Sequence, residues 1–199
     1  MTPEPIQKFI DSFSRLPSIG PRLATRLAFY LISLDSATFK NLELSFANLK
    51  TLNRCPRCFF LKEARKNLCS FCSDPKRDKN IIAVVEKETD LLSIEKTGNF
   101  QGHYLVLGEL PERGILESAQ KLRLQTLKER IKKELNGKAK EIIAAVNLTT
   151  FGDFTTHIIG QEFKELAEKI TRLGRGIPTG GEIEFADEET LAQALERRN

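Results

Sequence analysis

The chain has 199 residues, of which 40% are hydrophobic and 29% are charged, with a formal net charge of +4. This composition is ordinary for a soluble globular protein of one compact domain or of two or three small ones. No apolar run is long enough to cross a bilayer, and the N-terminus lacks the basic-then-apolar order of a signal sequence. These features argue against a membrane-spanning chain and against a signal sequence, and we expect a cytoplasmic protein.

Charge is distributed unevenly along the chain. Residues 1–80 hold 14 Lys and Arg against 7 Asp and Glu, whereas residues 81–199 hold 17 against 20. The asymmetry predicts that the N-terminal segment binds a polyanion and that the rest of the chain has a different function. A solvated basic face is the alternative explanation.

The first 53 residues are predicted to form a small helical domain. Thr2-Pro3 is a good helix start, and apolar residues recur at helical spacing from Ile6 to Leu16. Pro21 opens a second predicted helix, and Asp35 or Ser36 caps a third that continues to Leu49.

The turn between the first two predicted helices, residues 16–22, resembles a helix-hairpin-helix, a module that binds DNA without reading its sequence. In such a hairpin, backbone N–H groups at a helix N-terminus approach a phosphate closely, and basic side chains add charge. The usual motif has glycine where this chain has Ser18. An ordinary helical hairpin with surface arginines is the alternative. The predicted DNA-binding residues are Arg15, Gly20, Arg22 and Arg26.

Residues 54–78 contain all four cysteines of the chain, arranged as two Cys-x2-Cys pairs with ten residues between them. Each pair supplies two thiolates from a tight turn, which predicts one tetrahedral zinc site. A site with four cysteine ligands has no open position, so the metal is expected to be structural. Disulfides or thiol redox chemistry remain the alternatives. The predicted ligands are Cys55, Cys58, Cys69 and Cys72.

Residues 79–172 are predicted to form an α/β domain with a parallel sheet. Three short apolar runs indicate buried strands, at residues 81–85, 104–107 and 142–146. Helices are expected between them, at residues 90–96 and about 116–135. A further helix is expected around Glu162–Ile170, followed by a short strand at residues 171–173. The final helix is predicted from about Glu188 to Arg198, capped by Asp187.

Three acidic residues follow the predicted strands. Glu86 comes directly after the first strand, Asp90 lies one helical turn later, and Asp153 follows the third strand. Open parallel sheets place functional groups at the carboxyl ends of their strands, so these carboxylates could converge and hold magnesium. Helix caps and solvated surface acids are the alternative.

The order of these parts resembles the RecR family of bacterial recombination mediators over nearly the whole chain. The most specific stretch is residues 171–187, TRLGRGIPTGGEIEFAD, with its Arg-Gly-hydrophobic-Pro turn and paired glycines. Residues 84–98 match that family's entry into a Toprim domain. The resemblance implies a multi-domain α+β protein: a helix-hairpin-helix, a four-cysteine zinc finger, an α/β Toprim domain and a C-terminal strand and helix at residues 173–199.

The resemblance also implies a function. Members of this family are non-enzymatic, ring-forming proteins that act with RecO and RecF to load the recombinase RecA on single-stranded gaps in recombinational DNA repair. A homo-oligomer, a dimer or tetramer, is therefore expected. The resemblance implies that Arg22 and Arg26 contact DNA. It also implies that Glu86, Asp90 and Asp153 take part in interactions with partner proteins and with DNA.

The chain departs from the family pattern in two places. The third-strand motif Asn-Pro-Thr-x-Glu-Gly-Glu has Leu148 for the proline, Phe151 for the first glutamate and Asp153 for the second. The missing carboxylate argues against magnesium binding, because a hard cation needs several oxygen ligands. Its loss is also expected to weaken the contact with RecO. In residues 108–140, Glu109-Leu110-Pro111-Glu112 and a long charged helix replace a Gly- and Pro-rich loop, which indicates a diverged partner surface.

Two other functions remain to be tested. Toprim sheets also occur in magnesium-dependent nucleases and primase-like enzymes, but no Asp-x-Asp pair follows the third strand here. The two histidines and two tyrosines show no pattern typical of a nucleophile or a ligand. A zinc ribbon that only scaffolds other proteins is the third hypothesis, and it predicts no affinity for DNA.

Overall fold

The structure is a computed structural model that describes residues 2–111, 115–174 and 176–196. Its contacts divide the chain into two compact units, Met1–Leu52 and Asn53–Asn199. Three features of the sequence-based predictions lie outside the described residues: Glu112, Arg175 and the end of the last helix at Arg198.

The first unit contains three helices, α1 (Glu4–Phe13), α2 (Pro21–Ile32) and α3 (Ser36–Leu49). Prolines in the first turns of α1 and α2 supply a fixed φ without removing a needed donor. Asp35 caps α3, since its Oδ1 accepts hydrogen bonds from the backbone N–H groups of Ala37 and Thr38 at 3.0 Å. The predicted helical order is confirmed.

Apolar side chains of the first unit are largely exposed. Ala24 and Ala28 of α2 are buried, and the Phe9 and Phe13 rings of α1 stack with centroids 3.9 Å apart. Large apolar residues of α2 and α3 remain open to solvent, each at least 56% exposed: Phe29, Tyr30, Ile32, Phe46 and Leu49. The single chain therefore leaves much of the apolar surface of this unit uncovered.

A small cysteine-containing subdomain follows, with strands β1 (Leu52–Arg54) and β2 (Leu61–Glu63) and the short helix α4 (Ser70–Ser73). All four cysteines are buried, and Phe60, Leu68 and Phe71 pack against them.

A four-stranded parallel sheet forms the centre of the second unit. Its strands are β3 (Asp78–Val85), β4 (Gly102–Val106), β5 (Ala139–Ala145) and β6 (Ala167–Arg172), in the order β4-β3-β5-β6. Helices α5 (Glu88–Glu95), α6 (Ser118–Glu134) and α7 (Thr150–Phe163) connect successive strands. The three predicted strands and the predicted parallel sheet are confirmed.

The helix expected around Glu162–Ile170 was a wrong prediction. Helix α7 begins earlier, at Thr150, where the Thr149 hydroxyl caps it by accepting a hydrogen bond from the Gly152 N–H at 3.2 Å. The chain then enters edge strand β6, in which Ile170 lies opposite Ile142. Charged residues on the open face of an edge strand hide the alternation that would reveal the strand.

The sheet is covered on both faces. One core packs α6 and α7 against the strands, with Leu127, Ile131, Ile159 and Phe163 all 0% exposed. The other core packs Leu91 of α5 and aromatic side chains of the cysteine subdomain against Tyr104 and its neighbours. Burial on both faces explains the near-continuous apolar runs of the central strands.

The described C-terminal segment contains one 3-10 turn, Ile183–Phe185, and helix α8 (Glu188–Glu196). Asp187 caps α8 as predicted, because its Oδ1 accepts a hydrogen bond from the Thr190 N–H at 2.9 Å. Within the described ranges, every helix is too short or too polar to cross a membrane.

Candidate metal centre and nucleic-acid interface

The four cysteines form one compact cluster. Their sulfur atoms all lie within 4.8 Å of one another, and no two are joined by a disulfide. Cys55 and Cys58 come from the turn after β1, where the Cys55 carbonyl accepts from the Phe59 N–H at 2.9 Å. Cys69 is the N-cap of α4, and Cys72 lies within that helix. Two tight turns thus converge on one point.

The thiols perturb one another strongly. Hydrogen bonding between Cys55 and Cys58 lowers the pKa of Cys55 and raises that of Cys58. The cysteine set is also the one group of three or more metal-ligating side chains that meets in space among the described residues. Four converging sulfur donors in a buried, closed arrangement are compatible with a structural Zn²⁺ ion and leave no position for substrate.

The cysteine subdomain is joined firmly to the sheet unit. The Val106 N–H of β4 donates to the Cys58 carbonyl at 2.8 Å. The Arg57 guanidinium binds both carboxylate oxygens of Glu134 in α6, at 2.8 and 2.7 Å. The Phe71 ring meets Tyr104 of β4 edge-on, with centroids 5.7 Å apart. The cluster is therefore anchored to two elements of the α/β domain.

The hairpin between α1 and α2 is a tight turn. Ser18 has φ 63°, in the left-handed region that favours glycine. The serine therefore adopts the conformation for which the usual motif has glycine, with some strain. Gly20, the N-cap of α2, has ordinary extended backbone angles, and apart from its chain neighbours no heavy atom of the described residues lies within 4 Å of where a Cβ would stand. That open space leaves the helix N-terminus accessible.

The predicted basic residues of the hairpin are all exposed. Arg22 lies in the first turn of α2 and Arg26 one turn later, while Arg15 precedes the hairpin. Arg22 and Arg26 make no ion pair with any acid among the residues that the structure describes. Two unpaired guanidinium groups therefore accompany the free N–H groups at the start of α2.

Glu86 is held at the carboxyl end of β3. It is 8% exposed, and its Oε2 accepts a 2.6 Å hydrogen bond from the Asn147 side chain, which follows β5. Its Oε1 accepts a longer bond from the Leu110 N–H at 3.4 Å. Lys87 and Glu109, 3.3 Å apart, line the same cleft of about 460 Å³. The segment that departs from the family loop therefore covers this carboxylate.

The other two predicted acids have separate local partners. The Asp90 Oδ2 accepts from the Lys87 N–H at 2.8 Å and so caps α5. Asp153, in the first turn of α7, pairs with Arg172 of β6 at 3.5 Å. Among the described residues, the four cysteines lie close enough together to hold one metal ion, but Glu86, Asp90 and Asp153 do not.

One contact at the candidate site was missed by sequence reasoning. The bond between Asn147 and Glu86 joins two strand ends that are 61 residues apart in sequence. The parallel register of Val85 opposite Ala145 brings them together. Asn147 was visible as the polar residue after a buried strand, and that position was its only signal.

Comparisons with known proteins find similarity to one family along nearly the whole chain. Three family models match the chain: "RecR, helix-hairpin-helix" over residues 6–48, "Toprim domain" over residues 80–174 and "RecR, C-terminal" over residues 176–199. The "Recombination protein RecR" of Lactococcus lactis subsp. lactis is 39% identical over 199 residues, covering 98% of this chain and 97% of that protein. The chain belongs to the RecR family.

Two further relatives support the same family. The RecR proteins of Gloeobacter violaceus and Rubrobacter xylanophilus are 38% and 39% identical, over 100% and 97% of this chain and 98% and 95% of their own lengths. The family name associates the chain with DNA recombination. The resemblance seen in the sequence is thereby confirmed, together with the helix-hairpin-helix and Toprim assignments.

Proposed function

We propose that this protein is a DNA-binding recombination mediator that forms a clamp on DNA without reading its sequence. With RecO and RecF, it helps to load RecA on single-stranded gaps. The observation that supports the proposal most is the exposed basic hairpin, in which Arg22 and Arg26 lie in the first two turns of α2, next to its open N-terminus.

The chemistry of this hairpin suits a phosphate backbone. The first-turn N–H groups of α2 and the partial positive charge of the helix end attract one phosphate, and the two arginines contact the same strand. No side chain of the hairpin is needed to read a base edge, so affinity should be independent of sequence. Arg15 adds charge on the approach to the turn.

A clamp needs more than one copy, and the helical unit favours assembly. The exposed apolar residues on α2 and α3, such as Phe29, Ile32 and Phe46, form surface that a soluble monomer rarely leaves open. We propose a homo-oligomer, a dimer or tetramer, that buries this surface. Light scattering on the purified chain tests the assembly, and a strictly monomeric protein would contradict it.

The domain bounds and the metal belong to the same proposal. We assign residues 1–53 to DNA binding, 54–78 to a zinc finger, 79–172 to the Toprim domain and 173–199 to a C-terminal family segment. Zn²⁺ would be held by Cys55, Cys58, Cys69 and Cys72. There it supplies folding energy and no chemistry, because four thiolates close its coordination shell.

The edge of the Toprim sheet is proposed as the partner surface. Glu86, Asp90 and Asp153 place negative charge at or near this edge, while Leu148 and Phe151 beside Asp153 are exposed apolar residues. We propose that RecO, and RecF where it takes part, contacts this mixed surface. The local partners of Asp90 and Asp153 make them poorly arranged as magnesium ligands.

The test is a RecA-loading assay on gapped DNA coated with single-strand-binding protein, with RecO present. The wild type should shorten the lag before RecA filaments form, and Arg22→Ala/Arg26→Ala should lose most of that effect. The same DNA is incubated with magnesium and scored for strand breaks. Metal-dependent nicking that Glu86→Ala abolishes would replace the mediator with the nuclease alternative, and loading without any DNA affinity would favour the scaffold.

A further inference from the structure

Arg130 of α6 is a buried cation without a partner. It is 8% exposed, and in the sequence of α6 it lies between Leu127 and Ile131, which are both fully buried. Neither Nη1 nor Nη2 has a hydrogen-bond partner among the described residues. Burial of an ionised side chain is costly unless an opposite charge compensates it, so a counterion is required.

The surroundings of Arg130 point to the source of that opposite charge. Glu134 follows Arg130 by one helical turn on the same face of α6, and it binds Arg57, which stands between Cys55 and Cys58. This face of α6 is therefore directed towards the cysteine cluster. Burial lowers the pKa of Arg130, and its electrostatic attraction to Cys72, to Glu134 and to Cys58 acts against that lowering.

Other groups near Arg130 do not neutralise it. Glu134 is already bound by Arg57 through both oxygens, and Arg57 itself adds positive charge. His103 of β4 is 1% exposed, and burial together with Arg130 lowers its pKa to about 4. A neutral imidazole supplies no charge, and Glu134 shares its charge with Arg57, so the thiolates of the metal site are the main negative charge left for Arg130.

The charge of the metal complex fits this need. A divalent ion with four thiolates carries a net charge of about −2 and is buried with its ligands. We propose that Arg130 is the buried counterion of the metal–thiolate cluster, a positioning residue that stabilises the metal-loaded form from outside the coordination shell. The inference rests on the proposed structural zinc and adds a residue 58 positions beyond the last ligand.

The proposal makes opposite predictions for the loaded and metal-free protein. With zinc, replacing Arg130 removes the charge that balances the cluster. Without zinc the thiols can take up protons, so Arg130 becomes an uncompensated buried charge whose removal relieves the fold. A residue that acted only through packing would affect both forms in the same direction.

The experiment measures the zinc dissociation constant of the full chain by competition with a chromogenic chelator. Arg130→Met should weaken zinc binding by about 10- to 100-fold, the usual range for groups that support a metal from outside its ligand shell. Arg130→Lys, which keeps the charge, should stay within about threefold of the wild type. Lys133→Met is the matched control, because it removes one positive charge from an exposed position of the same helix and should change nothing.

Urea unfolding with and without bound zinc gives the second readout. Arg130→Met should lower the midpoint of the loaded protein and leave that of the metal-free protein equal or higher. If the methionine variant does not fold, Arg130→Gln takes its place. Zinc affinity within twofold of the wild type, or equal losses of stability in both forms, would overturn the inference. A wild-type chain that binds no zinc would overturn the proposed metal as well.

Discussion

Gly152 is the position at which one added methyl group should have the clearest effect. It is buried in the first turn of α7, and a Cβ there would stand 1.8 Å from the backbone oxygen of Asn147. That oxygen belongs to the main chain, so no rotamer change relieves the clash. Overpacking a well-packed site costs about 1–3 kcal/mol, and a backbone contact this close puts Gly152→Ala at about 2–3 kcal/mol of lost stability.

Gly160 supplies the matched control in the same helix. Outside its own helix, no heavy atom of the residues that the structure describes lies within 4 Å of a Cβ built there. Gly160→Ala should therefore gain about 0.5–1 kcal/mol, because alanine restricts the unfolded chain and favours the helix. The two variants, measured by urea unfolding of zinc-loaded protein, should differ by about 3 kcal/mol. Equal stability of the two variants would refute the packing argument.

A functional readout accompanies this pair. Displacing Asn147 lengthens its 2.6 Å hydrogen bond to Glu86, so Gly152→Ala should weaken the proposed contact with RecO while Gly160→Ala should leave it unchanged. A binding titration with labelled RecO measures this.

Three other predictions concern the second unit. Arg77, 8% exposed at its side chain, is paired with Glu95, so Glu95→Gln should cost about 2–4 kcal/mol in urea unfolding, and a loss below about 0.5 kcal/mol would contradict the buried pair. The pKa of His103 is lowered to about 4, so the unfolded chain takes up its proton first as pH falls below 6.5. Stability should thus fall by about 1.5 kcal/mol between pH 6.5 and 5, and His103→Gln should remove that part of the slope; an unchanged slope would contradict it. Cys58→Ser should lose bound zinc and a large part of the ~10 kcal/mol that a structural zinc contributes to folding, as measured by metal analysis and unfolding. A metal-free wild type of equal stability would refute this last prediction.

The sequence predicted well what depends on local pattern. The cysteine spacing identified the cluster because two tight turns are enough to bring four sulfur atoms together. The central strands were visible because burial on both faces makes them continuously apolar, as at residues 81–85. Asp35 and Asp187 were recognisable as helix caps, since a cap depends on residues only two or three positions away.

What the sequence did not predict depends on long-range contacts. Edge strand β6 carries charged residues on its open face, so its sequence favoured a helix until its pairing with β5 was known. The carboxylates were expected to converge, but nearby donors hold two of them: the Lys87 N–H binds Asp90, and Arg172 binds Asp153. Arg130 is one of several charged residues in α6, and only the fold distinguishes it as buried.

The central claim is that the basic hairpin holds DNA through phosphates. It is tested most directly by the salt dependence of DNA affinity, measured by fluorescence anisotropy with a labelled single strand and duplex. Arg22→Ala/Arg26→Ala should weaken binding for every sequence and reduce the slope of log K against log salt by about 1.8 on duplex and about 1.4 on single strands. Lys132→Ala/Lys133→Ala removes the same charge from α6 and should leave the slope nearly unchanged. A hairpin variant with the affinity and slope of the wild type would contradict the claim.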